Sequence, residues 1–199
     1  MRKINEIFLS LQGEGCHTGV PSVFIRFSGC NLKCGFCDTR HEEGKWMSDE
    51  EIFSEVKGLA GAQIVLTGGE PSLFIDDDFI AGLKAATGLP IAIETNGSHK
   101  LPAAIDWVTV SPKMEMSVSG DARIVVDHAD ELKVVDIGQD LEPYFNLGCV
   151  GPETVMLLQP CYVEDEKERI KNTRRTIGRV LNDARWRLSL QTHRYLDIR

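Results

Sequence analysis

The chain carries Cys30-Asn31-Leu32-Lys33-Cys34-Gly35-Phe36-Cys37, three cysteines at CxxxCxxC spacing directly after an apolar run. A loop of that length can turn three thiolates toward one centre, and thiolate is the soft ligand that both iron-sulfur clusters and zinc accept. A structural zinc ion asks for four protein ligands, whereas a cluster held by three cysteines keeps one iron open to bind a reactant. The local motif leaves both chemistries open: a 4Fe-4S cluster on Cys30, Cys34 and Cys37, or a zinc loop completed by Asp38, His41 or a distant cysteine. Cys16, Cys149 and Cys161 stand apart and are read as small apolar groups.

Such a loop needs a scaffold. Short β-branched or aromatic runs at residues 22–29, 63–67, 90–95, 107–110, 131–135 and 154–159 read as strands buried on both faces. Between them lie helical patterns over residues 48–59, opened by a Ser48-Asp49-Glu50-Glu51 capping box, and over residues 76–86. A weaker helical pattern covers residues 140–145, and the clearest spans 163–184, where Ile170, Ile177 and Leu181 recur among charged residues on a solvated face. Alternating strand and helix predict right-handed βαβ units and a mostly parallel sheet, either an open barrel or a doubly wound sheet. Chemistry then belongs at the carboxyl ends of the strands. A first strand over residues 4–11 leads into the turn Gln12-Gly13-Glu14-Gly15, and residues 187–198 read as a closing strand.

The 199 residues suit a single domain, 1–199, with 42% hydrophobic and 26% charged residues. A net charge of -8 argues against a nucleic-acid partner, because a phosphate backbone calls for a basic surface. No apolar run is long enough for a membrane span, and the start of the chain lacks the apolar core of a signal peptide, so a cytoplasmic, soluble protein is expected. In that reducing compartment clustered cysteines point to metal rather than disulfides.

CxxxCxxC with Phe36 before its last cysteine resembles the signature of the radical S-adenosylmethionine superfamily, and Thr67-Gly68-Gly69-Glu70-Pro71 resembles its second mark. The resemblance implies a 4Fe-4S cluster whose free iron chelates the methionine part of S-adenosylmethionine, and an electron that cleaves the cofactor to a 5'-deoxyadenosyl radical. Two glycines let backbone carbonyls approach an ammonium, and Glu70 would add acceptor charge. The chain is similar in more detail to the 7-carboxy-7-deazaguanine synthase family. Leu11-Gln12-Gly13-Glu14-Gly15, Arg26-Phe27, Gly29-Cys30-Asn31-Leu32, Cys37-Asp38-Thr39, Glu94-Thr95-Asn96-Gly97, Ser111-Pro112-Lys113, Leu158-Gln159-Pro160 and Gln191-Thr192-His193 carry that likeness, with LQGEG and QTH the most specific.

That family implies a compact partial (βα)6 TIM-like barrel, a homodimer, and the ring contraction of 6-carboxy-5,6,7,8-tetrahydropterin to 7-carboxy-7-deazaguanine with loss of ammonia. It also implies an electron donor such as a flavodoxin and a place in queuosine and deazapurine biosynthesis. By the same resemblance Gly69, Ser111, Pro112, Lys113, Gln159, Pro160, Cys161, Tyr162 and Phe36 hold the cofactor, and Glu94 is the acid near the reacting carbon. Leu11, Gln12, Gly13, Glu14, Arg26, Thr67, His193 and Arg199 contact substrate, with Thr39 on a magnesium ion (Mg2+). These roles make physical sense. A guanidinium such as Arg26 pairs a carboxylate bidentately, a turn of amides can match the edge of a pterin, and Thr39 with Asp38 offers hard oxygen.

Singly, each residue has a plainer reading: Arg26 pairing a neighbouring acid, Thr39 capping a loop, His193 at a sheet edge, Lys113 on the surface, and His17, His99 and His128 without a role. Two rivals remain at this level, a radical activase of glycyl-radical enzymes and a zinc or iron-sulfur module without catalysis. Neither gives a reason for LQGEG, Arg26 and QTH together.

Overall fold

The computed structural model describes residues 1–35, 37, 43–115 and 117–199. In chain order the elements are β1 (Arg2–Leu11), β2 (Pro21–Phe27), β3 (Lys33–Cys34), β4 (Lys45–Met47), α1 (Asp49–Lys57), β5 (Gln63–Gly68), α2 (Asp77–Thr87) and β6 (Ile91–Thr95). There follow β7 (Trp107–Val110), β8 (Ser117–Ser119), β9 (Glu131–Asp136), β10 (Val155–Pro160), α3 (Glu166–Asn182), β11 (Arg187–Leu188) and α4 (Thr192–Leu196). One sheet has the order β11-β10-β9-β7-β6-β5-β2-β1-β4. Every pair from β2 to β11 is parallel, and β1 and β4 run antiparallel at one edge. This is the mostly parallel, open TIM-like architecture that the alternation predicts. Its crossovers are leaner than a (βα)6 pattern: among the described residues β6 to β7 and β7 to β9 pass without an α-helix, and the weak pattern at 140–145 is a short 3-10 turn, Glu142–Asn146.

Side chains alternate along each strand, and that alternation sorts the sheet into two faces. Val23, Ile25 and Phe27, Ile64 and Leu66, Ile91 and Ile93 are buried together with Phe79, Ile80 and Leu83 of α2 and Ile52 and Val56 of α1. Each such side chain contributes about 1.5–3 kcal/mol relative to leaving it exposed. The other face carries Phe24, Val65 and Ala92 in a smaller apolar cluster. One step further along the same strands, the same face presents Arg26, Thr67 and Glu94. Arg26 is in register with Thr67, Glu94 with Thr109, and Thr109 with Glu131. Polar residues therefore collect at the carboxyl ends.

The helices are capped as the composition predicts: Ser48 and Glu51 form a reciprocal capping box on α1, and Asp76 accepts from the Phe79 N–H at 2.9 Å to start α2. Two findings go beyond the sequence pattern. Of the apolar residues of α3, Val180 packs against the core, whereas Ile170, Ile177 and Leu181 are exposed, and Leu181 is 80% accessible. The helix instead turns Arg175, Thr176 and Arg179 inward to Asp136, which is fully buried at the end of β9. A buried carboxylate must be paired, and this requirement outweighs the pull of a sparse apolar stripe. The closing segment is likewise not a long strand. Only Arg187 and Leu188 pair with β10, and Thr192 gives its N–H and Oγ to the Gly13 carbonyl, at 2.8 and 2.9 Å, as α4 begins.

Burial alone would raise the Asp136 carboxyl, but bonds from Thr176, the Gly138 N–H and Arg179, with the Arg175 charge beside them, hold it below its ordinary value. Asp136→Ala is expected to cost about 2–3 kcal/mol in denaturant unfolding, since partly exposed arginines regain water. The contribution of Asp136 in the wild type is complete above the unfolded carboxylate pKa of about 3.9 and is lost as pH falls below it. The Ala variant should therefore lose less stability than the wild type on acidification through that range.

Candidate active site

A cavity of about 1210 Å³ opens over the carboxyl ends of the strands. Cys30, Cys34 and Cys37 line one part of it, Gly69, Ser111 and Lys113 the adjoining wall, and Arg26, Thr67 and Glu94 the sheet floor. Leu11 to Glu14 and the segment from Gln191 to Arg199 close the far side. Gln159 and Pro160 border it from the end of β10, and Tyr162 from the segment that follows. Of the remaining candidates, Pro112 is buried behind the wall, and Cys161 lines a smaller adjoining pocket with Tyr162 and Arg194. Phe36, Asp38 and Thr39 lie outside the described residues.

The cysteine loop is tied to the glycine-rich turn through backbone. Gly69 N–H donates to the Phe27 carbonyl at 3.1 Å and Glu70 N–H to the Gly29 carbonyl at 2.9 Å. The contact is so close that a Cβ on Gly68, which holds φ at +125°, would lie 2.2 Å from the Phe27 oxygen, and one on Gly69 would lie 2.0 Å from the Gly29 oxygen. Glu70 does not offer its charge to the cavity, contrary to the sequence expectation. It is fully buried and accepts from Thr95 Oγ1 at 2.6 Å, Asn96 N–H at 2.7 Å and Ser72 N–H at 3.1 Å, so it braces the turn against β6. Asn96 in turn donates to Asn31 Oδ1 at 3.1 Å, and Asn31 donates to Ser98 Oγ at 2.9 Å, anchoring the loop between the first two cysteines.

These surroundings suit a thiolate-bound cluster. Leu32 N–H points at Cys30 Sγ at 3.4 Å, and the Lys113 ammonium acts on the Cys34 sulfur. Burial pushes both thiols up as free groups, Cys30 further through the charges of Glu70, Cys34 and Cys37. Among the described residues no three His, Cys, Asp or Glu side chains converge on a single ion.

On the substrate side, charge is concentrated. Lys133 Nζ donates to Glu14 Oε2 and to Glu94 Oε2, each at 2.5 Å, and its side chain is 5% exposed. Gln191 Nε2 donates to the other Glu14 oxygen at 2.8 Å, and Gln12 Nε2 to the other Glu94 oxygen at 3.1 Å. Burial would raise both carboxyls. For Glu14 the Lys133 charge and donors from Lys133, Gln191 and Gln159 outweigh it and bring the group to about 2. For Glu94 burial wins, helped by the nearby charges of Glu14 and Glu131, and the carboxyl is raised. Sequence reasoning missed Lys133, although a lysine inside the apolar run Glu131 to Val135 was a signal that something acidic must meet it.

Arg26 Nε donates to Glu6 Oε1 at 2.8 Å, and Arg199 reaches the other Glu6 oxygen, with both guanidiniums over the Phe8 ring. Arg26 thus meets a neighbouring acid while lining the cavity. His193 packs on Gly13 so tightly that a Cβ there would lie 2.2 Å from its Nδ1, which joins the LQGEG and QTH segments face to face. Lys113 is not on the surface: its Nζ is held by the Ser111 carbonyl at 2.9 Å and Ser111 Oγ at 2.5 Å, and burial lowers its pKa.

Comparison with known proteins agrees with this geometry. The model of the Radical SAM superfamily matches residues 24–113, from β2 through the cysteine loop and glycine-rich turn to Lys113. Over 199 residues, the whole of both chains, the sequence is 52% identical to the 7-carboxy-7-deazaguanine synthase of Bacteroides thetaiotaomicron. The chain belongs to the 7-carboxy-7-deazaguanine synthase family. It is 40% identical to the synthase of Burkholderia multivorans, with 98% of each chain covered. The crystal structure of QueE from Escherichia coli superposes with a TM-score of 0.79 at 30% identity, covering 96% of this chain and 94% of that one. Streptococcus suis SuiB, at a TM-score of 0.51 and 15% identity, shares the fold alone. As a radical S-adenosylmethionine enzyme of this family, the protein takes a 4Fe-4S cluster and S-adenosylmethionine, a small-molecule substrate and an electron from a reduced donor. No described helix is long and apolar enough to cross a membrane.

Proposed function

We propose that the protein, as a single domain of residues 1–199, converts 6-carboxy-5,6,7,8-tetrahydropterin to 7-carboxy-7-deazaguanine and ammonia, and that its work belongs to cytosolic queuosine and deazapurine biosynthesis. The observation that carries this reading is the meeting, in one cavity, of the cysteine loop with the turn at Leu11 to Glu14 and the segment from Gln191 to Arg199. The bound cluster and S-adenosylmethionine supply the electron and the hydrogen-abstracting radical. The chain's own residues do the rest. Cys30, Cys34 and Cys37 hold the cluster, and Gly69, Ser111, Pro112, Lys113 and Gln159 to Tyr162, with Phe36, surround the cofactor. Gln12 and Glu14, with the Leu11 to Gly13 backbone, accept and donate along the pterin edge, while Thr67 and His193 bound its two sides. Glu94 stands beside the reacting carbon. Arg26 and Arg199 face the substrate carboxylate, and Thr39 would supply a hard oxygen to a magnesium ion, which would help to neutralise that carboxylate. The donor of the electron is a flavodoxin-like protein, and the working unit is a homodimer.

Anaerobic turnover of the tetrahydropterin with reductant and S-adenosylmethionine should produce the ultraviolet spectrum of a deazapurine. Cofactor cleavage without a deazapurine would overturn the assignment and reopen the activase alternative. Arg26→Ala is expected to leave cofactor binding intact and to raise KM about 10- to 100-fold, the worth of a hydrogen bond to a charged group at roughly 1.5–3 kcal/mol. An unchanged KM would remove Arg26 from the carboxylate.

A further inference from the structure

No motif of the chain contains Lys133, yet its ammonium is the hinge of the substrate pocket's charge. All six residues of β9 are buried, so a lysine in the middle of that strand stands only because acids meet it. Two do, from different parts of the chain: Glu14 from the turn after β1 and Glu94 from β6. The donors are divided unequally between them. Glu14 receives the ammonium, Gln191 and Gln159, whereas Glu94 receives the ammonium and Gln12 and faces the charges of Glu14 and Glu131. Glu131 itself is satisfied by Thr109 Oγ1 and the Cys16 N–H, both at 2.8 Å. The Lys113 ammonium also acts on this group, and Arg26, His193 and Arg194 line the same cavity.

Resting on the function proposed above, we infer that Lys133 is a positioning residue: its ammonium holds Glu14 ionised as the acceptor for the pterin's amidine-like edge and holds the Glu94 carboxyl in line with the reacting carbon. One cation between two carboxylates prevents them from sharing a proton. Without it, two carboxylates that now meet at one ammonium would repel each other, and one of them would take up a proton more readily. Glu14 would then no longer be a fixed acceptor.

The test compares wild type, Lys133→Met and Lys133→Arg after anaerobic reconstitution, reading iron content, S-adenosylmethionine binding, and kcat and KM across neutral and mildly alkaline pH. Lys133→Met should keep iron and cofactor binding, raise KM about tenfold or more, and acquire a limb in which kcat/KM climbs with pH as the shared proton leaves. Lys133→Arg should keep the wild-type pH profile and lower kcat, because a planar fork cannot occupy the place of a point charge between the same two oxygens. A Lys133→Met enzyme with wild-type KM and profile, or a Lys133→Arg enzyme that acquires the new limb, would overturn the inference. Should Lys133→Met not fold, Lys133→Gln, a neutral side chain that can still donate to a carboxylate, takes its place. It should acquire the same limb and a raised KM, and a Lys133→Gln enzyme with the wild-type KM and profile sinks the idea. A wild type that cleaves cofactor but forms no deazapurine would defeat the proposed function instead, which separates the two failures.

Discussion

Cys30→Ala protein, reconstituted without oxygen, should carry little iron, lack the brown chromophore of a cluster, and cleave S-adenosylmethionine at least 100-fold more slowly than wild type. The reason is ligand number. The loop offers three thiolates, and among the described residues the cavity lining holds no other cysteine, so losing one would leave the cluster with two thiolate ligands. The loss corresponds to about 2.7 kcal/mol or more of transition-state stabilisation. The fold should survive, since Cys30 lies at the cavity surface and the core packs on the opposite face of β2. Far-ultraviolet circular dichroism and cofactor cleavage measured on the same sample check both halves. Full iron with wild-type cleavage in the variant would remove Cys30 from the cluster.

Gly69→Ala should be the second most damaging change, and for a different reason. The added carbon would meet the Gly29 oxygen at 2.0 Å, its carbonyl carbon at 2.6 Å and Cys30 Cβ at 3.2 Å. Two of those atoms are backbone at the root of the cysteine loop, so no side chain can swing aside. Either the glycine-rich turn withdraws from β2 or the loop moves with its first ligand. Overpacking of this kind costs about 1–3 kcal/mol, occasionally more, in stability. The functional cost should be larger, on the order of 10- to 100-fold in cofactor cleavage, because a displacement of about 1 Å between reacting groups is worth that much. A lowered melting temperature together with slower cleavage would agree. Unaltered cleavage would show that the turn does not set the position of the loop.

What could be read from residue order was whatever is local. CxxxCxxC and GGEP are spacings within a few residues, the Ser48 capping box is one turn long, and each β-branched run identifies its own strand, so the sheet and the cofactor side of the site follow from short-range pattern. The resemblance carried by LQGEG and QTH even named the substrate side, without indicating that the two segments touch. Tertiary structure alone decided the pairings. Glu70 is spent on Thr95 and Asn96, Lys133 lies between Glu14 and Glu94, Asp136 turns the charged side of α3 inward, and His193 rests on Gly13. Each of these joins residues far apart in sequence. The first three are set by one rule that no local window contains, that a buried charge or polar group must find its partner wherever the fold brings one, and the fourth by close packing against a residue without a side chain.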